Sequence, residues 1–98
     1  MEVRFEDGQQ LEAVEARKAL TRLGEAIDKK FRERMKVIRA ARDERDFYAL
    51  KSLHFEKMKG DRAKDHSMKL NKQWRLVLRF DGEGPEKIVL VRGIEDYH

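Results

Sequence analysis

Three stretches of this 98-residue chain carry side chains suited to moving protons or gripping phosphates. The first is the terminal run IEDYH, with Glu95, Asp96, Tyr97 and His98 in succession. It combines carboxylates, a phenol and an imidazole, which together exchange protons over a wide pH range. The second is WRLVLRF, where Arg75 and Arg79 stand on one side of a strand-like alternation. A guanidinium is a planar fork that matches a phosphate. The third is LHFEKMKGDR, in which His54 leads into a loop crowded by Lys57, Lys59 and Arg62. Each stretch has a plainer interpretation. The tail reads equally as a frayed end, Arg75 as a solvent-facing strand residue, and His54 as a core histidine between Leu53 and Phe55. Taken together, the residue types match RNA cleavage through the ribose 2′-hydroxyl. That reaction needs a base for the hydroxyl, an acid for the leaving oxygen and cations for the phosphorane. It requires no metal. His54, His66 and His98 show no metal-ligand spacing and the chain has no Cys, so neither a metal nor another cofactor is expected.

These stretches meet only if the intervening elements bring them together. The length predicts a single domain over residues 1–98. MEVRFEDG alternates apolar and charged residues and predicts a short strand ended at Asp7-Gly8. Leu11, Val14, Ala19, Leu20 and Leu23 follow at roughly helical spacing, with Gly24 as the stop. From Glu25 a second helix is predicted by Ile27, Phe31, Met35 and Ile38, with charged residues filling its other face. Phe47, Leu50 and Leu53 then offer packing residues. SMKLN, WRLVLRF and KIVLVRGI read as strands, the last two joined by the turn DGEGPE. The predicted fold is α+β: a short N-terminal strand, an antiparallel helix pair, then an antiparallel β-meander with the helices packed on one sheet face. The last hairpin places the tail beside the start of the Arg75 strand, and Arg75 and Arg79 stand on the open face.

Charge is the strongest compositional feature: 43% of residues are charged and the net charge is +4. From Lys51 to Phe80, nine Lys and Arg face only Glu56, Asp61 and Asp65. Such a segment suits a polyanion or forms a solvated face. The chain has no long apolar run and no signal pattern, so a cytoplasmic protein without membrane contact is expected.

SLHFEKMKGDR, SMKLNKQWRLVLRF and the terminal EDYH together resemble the HigB-type toxins of the RelE/ParE superfamily. The resemblance is closest over the C-terminal half, and the helical half matches in layout. It implies a ribosome-dependent mRNA endonuclease that cuts in the ribosomal A site and is neutralised by a HigA-type helix-turn-helix antitoxin. The implied partners are the 30S A site with its rRNA, and mRNA. The implied catalytic positions are His54, Arg75, Asp96, Tyr97 and His98, with Arg75 on the phosphate and Tyr97 against a base. Lys57, Lys59, Arg62, Gln73 and Arg79 would contact RNA. Lys57 and Lys59 compete for the family's lysine position because FEKM lengthens the loop. Gln73 replaces a common asparagine, and Asp65 and His66 stand where relatives carry aromatics. Alternatives are a ParE-like inhibitor of DNA gyrase and a non-catalytic basic module that binds RNA or the ribosome.

Overall fold

The computed structural model describes residues 1–6, 10–84 and 87–96, so Tyr97 and His98 lie outside the described residues. The helical pattern is plainest in α2, Glu25–Ala40. Ile27, Phe31, Met35 and Ile38 form one stripe and all are buried. Asp28, in the first turn, is buried as well. Its carboxylate accepts from the backbone N–H and the hydroxyl of Thr21, and the Thr21 oxygen accepts from the Leu23 N–H. These bonds pin the preceding loop to the positive end of the helix.

The first helix is shorter than the spacing predicts. α1 spans Leu11–Glu15 only. The Lys18 N–H bonds the Ala13 carbonyl at 2.8 Å and the Arg17 N–H bonds the Val14 carbonyl at 3.1 Å. This is a Schellman ending, with Arg17 at φ 62° in the position that favours glycine. The reason lies in the next helical turn. After Leu11 and Val14 the same stripe would continue through Glu15 and Lys18, so further helix would bury nothing. Leu20, read as a core position, is 71% exposed.

Five strands form one sheet in the order β1-β5-β4-β3-β2. They are β1 (Glu2–Phe5), β2 (Glu56–Lys57), β3 (Asp65–Lys69), β4 (Trp74–Asp81) and β5 (Ile88–Asp96). β3, β4 and β5 make the expected antiparallel meander. β1 lies parallel to β5, and the two-residue β2, too short to read from sequence, borders β3. The side chain of Asn71 accepts from the N–H groups of Gln73 and Trp74 and shapes the turn between β3 and β4. A third helix, α3 (Arg45–Ala49), and 3-10 turns at Lys51–Leu53 and Gly60–Arg62 complete the chain. Among the described residues no helix is long and apolar enough to cross a membrane.

One sheet face holds the core, where Met68, Leu76, Leu78, Val89 and Val91 pack with the α2 stripe and Phe47. His66 belongs to this face, since it pairs with Leu78 in register. Its ring stacks on Phe55 at 5.1 Å and meets Phe80 edge-on at 5.2 Å. Burial pushes the imidazole below its ordinary value. Lys57 and Lys87 act in the same direction, while Glu44 and Asp65 oppose them. Its Nδ1 is buried and, among the described residues, has no hydrogen-bond partner.

The opposite face is not the bare basic surface that the composition suggests. Asp65 is fully buried there. Arg79 Nε reaches its carboxylate at 2.8 Å and Arg92 Nη1 at 2.9 Å, with Arg62 Nη2 at 3.4 Å. Arg92 has no partner in register, because Val77 pairs with Gly93 and Leu78 with Val91. This bulge turns Arg92 toward Asp65. Arg92 also bonds Glu6, and Arg62 grips Glu95 through two contacts of 2.6 and 2.7 Å. Burial raises the Asp65 carboxyl, but the Arg79 hydrogen bond and the charges of Arg92, Arg79 and Arg62 outweigh it and hold it below the ordinary range.

Three outcomes are expected. Arg17→Gly removes a left-handed non-glycine residue and stabilises the fold by roughly 1 kcal/mol. In a domain of this size that appears as a rise in melting temperature of about 4–8 °C. Asp65→Asn leaves three arginines facing a neutral group and lowers stability in urea unfolding at pH 7 by about 3 kcal/mol. The wild-type contribution of Asp65 is complete above its ordinary pKa of 3.8 and disappears as pH falls through the lower folded value, so the variant loses stability less steeply in acid. His66 works earlier. The unfolded chain takes up its proton near 6.5 while the folded one resists, so stability falls as pH drops below 6.5. His66→Phe removes that first decline in a series of urea midpoints against pH.

Candidate active site

The antiparallel register of β4 and β5 sets Arg75 opposite Glu95 and Trp74 opposite Asp96. On the other side, β2 places Glu56 opposite Ser67. Together these strands wall a cleft of about 400 Å³. Arg75 forms its floor and is only 7% exposed. A buried guanidinium needs partners for its donors. Its Nε donates to Ser67 Oγ at 2.7 Å, and its Nη2 donates to the carbonyls of His54 and Ser67. A Glu56 carboxylate oxygen lies 3.5 Å from Nη2.

Lys57 and Lys59 line the same cleft and are exposed. Asp96 lines it too, and its carboxylate accepts from Gln73 Nε2 at 3.1 Å. The hydrogen bond from Arg62 holds the Glu95 carboxyl below the ordinary range, with the Arg62 and Arg92 charges adding to it against burial and Asp65. Glu95 is therefore a fixed anion at neutral pH. Among the described lining residues, Lys57, Lys59 and Arg75 balance Glu56, Glu95 and Asp96. The cleft pairs a cation able to grip a phosphate with carboxylates able to take a proton.

The sequence-derived residues separate into groups. Arg75, Asp96, Lys57 and Lys59 come together in the cleft, with Gln73 at its edge through Asp96. Arg62 and Arg79 are engaged with Glu95 and Asp65 and are not among the described residues that line it. His54 is exposed and is not among the described residues that line the cleft, yet its carbonyl bonds Arg75. Tyr97 and His98 lie outside the described residues. Sequence reasoning missed Glu56, Ser67 and the anchoring of Glu95. The signal for Ser67 was its place at the head of SMKLN, two residues from Lys69, which pairs with Arg75. Glu56 sits on a strand of two residues, which gives no periodicity to read.

No match to this chain was found among curated proteins. Among solved structures it is similar to a YoeB/ParE toxin from Agrobacterium tumefaciens, with a TM-score of 0.62 and 18% identity over 100% of both chains. At that identity the likeness shows a shared fold. The family model described as RelE-like toxin of type II toxin-antitoxin system HigB matches residues 4–98. A match that runs from the middle of β1 through the helices and the other four strands covers nearly all of the fold, and the chain belongs to this HigB-like family of RelE-like toxins.

Proposed function

We propose that this toxin is a ribosome-dependent endonuclease that cuts mRNA in the A site, in the cytoplasm, and that a HigA-type antitoxin neutralises it. The observation that carries the reading is Arg75, a guanidinium fixed on the floor of a cleft whose walls carry Glu56 and Asp96. A carboxylate takes the ribose 2′-OH proton. The O2′ then attacks phosphorus, and the P–O5′ bond breaks. The departing 5′-oxygen receives a proton from an acid, a role that suits Tyr97 or His98 by their side-chain chemistry. Arg75 stabilises the charge that builds on the phosphorane oxygens. Lys57 and Lys59 hold the flanking phosphates, and Gln73, beside Asp96, contacts mRNA. The ribosome supplies the alignment of 2′-oxygen, phosphorus and leaving oxygen, which is a large share of such a rate. Free RNA is consequently a poor substrate.

Primer extension on an mRNA translated in a purified system tests this, with and without ribosomes. The wild-type chain yields cuts at codon positions only when ribosomes are present. Arg75→Ala reduces them roughly a hundredfold or more, and a variant lacking Tyr97 and His98 loses them as well. Intact mRNA with the wild-type protein overturns the endonuclease reading. Gyrase inhibition and plain ribosome binding are then the activities to assay.

A further inference from the structure

We propose that Ser67 and the backbone of His54 form a clamp that orients the Arg75 guanidinium. Ser67 is then a positioning residue, and His54 acts through its carbonyl oxygen instead of its imidazole. The inference rests on the endonuclease reading for its consequence in cleavage, but the clamp itself stands on geometry.

A guanidinium is rigid and planar, so fixing two of its nitrogens fixes the whole fork. Nε is bonded to Ser67 Oγ at 2.7 Å, and Nη2 to the His54 carbonyl. Both anchors are themselves held by the fold. Ser67 is 1% exposed and its strand is paired on both sides, with β2 and with β4. His54 lies between Leu53 and Phe55, both buried in the core. Its backbone is therefore tethered from each side while its own side chain is exposed.

The conformation of His54 supports the same assignment. Its φ of 45° and ψ of 48° place it in the left-handed region, uncommon for any residue but glycine, although histidine enters it more readily than most. Such a conformation persists only where the surroundings over-determine it. Here it closes the 3-10 turn at Lys51–Leu53 and aims the carbonyl at Arg75. An exposed imidazole does not explain the aim of the carbonyl.

The test measures the side chain of Arg75 directly and then its effect on cleavage. In nitrogen-15 NMR the wild-type Arg75 Nε–H exchanges slowly with water at neutral pH. Ser67→Ala speeds that exchange, and Ser67→Thr, which keeps the oxygen, restores protection. In the ribosome-dependent assay Ser67→Ala lowers kcat about tenfold with little change in KM, and Ser67→Thr recovers most of it. Circular dichroism verifies that each variant is folded. For His54 two variants are compared. Glycine adopts the left-handed conformation freely and valine resists it, so His54→Val cleaves at least severalfold more slowly than His54→Gly. Equal losses in the two overturn the backbone role, as they point to the imidazole. Unchanged Nε–H exchange in Ser67→Ala overturns the clamp. If the wild-type chain does not cut mRNA, the endonuclease reading fails, and the exchange data still decide the clamp.

Discussion

A carboxylate sealed from water must be neutralised where it stands, and the sheet of this toxin is arranged around one. Asp65 begins β3, and the arginines that answer it come from β4, β5 and the turn at Gly60–Arg62. Those arginines then reach outward to Glu6 and Glu95. The network thus ties the segment after β1, the end of β5 and the middle of the sheet into one electrostatic unit. Isolated surface ion pairs contribute little. Several pairs sharing one buried anion are a different case, because removing any member leaves charge without an answer. The same network fixes Glu95, and so the strand that carries Asp96 into the cleft.

This arrangement alters what the basic segment Lys51–Phe80 means. Along the chain its cations outnumber its acids. In the fold, carboxylates distant in sequence come to meet them: Glu95 bonds Arg62, and Glu95 and Asp96 join the local Glu56 in the cleft with Lys57, Lys59 and Arg75. The cleft is consequently selective more by geometry than by bulk attraction. One guanidinium is held in a fixed plane, and phosphate has to find it.

The sequence was informative where a period was long and unbroken. The α2 stripe, the alternation in β4 and the hairpin to β5 could all be read directly, and with them the nearness of Arg75 to Asp96. The membership in a toxin family was legible from the combination of LHF, KGDR, WR and DYH. What escaped reading depended on contacts between distant residues. The early end of α1 follows from what its next turn would fail to bury. The parallel pairing of β1 with β5 leaves no local mark. Two partners of Arg75 are a serine eight residues before it and a carbonyl twenty-one residues before it. A backbone atom has no signature in composition, so His54 was read for its imidazole alone.

The position of β5 between β1 and β4 has a temporal consequence. Synthesis runs from the N-terminus, and β1 emerges first with nothing to pair with. β4 emerges with one edge bare. Both wait for residues 88–96, which supply the strand that joins them. Contacts of such long sequence separation form late and fold slowly. Until residues 88–96 emerge, the nascent toxin can hold its helices and the paired β2, β3 and β4 but leaves β1 unpaired, and its cleft, which needs Glu95 and Asp96, forms only after β5.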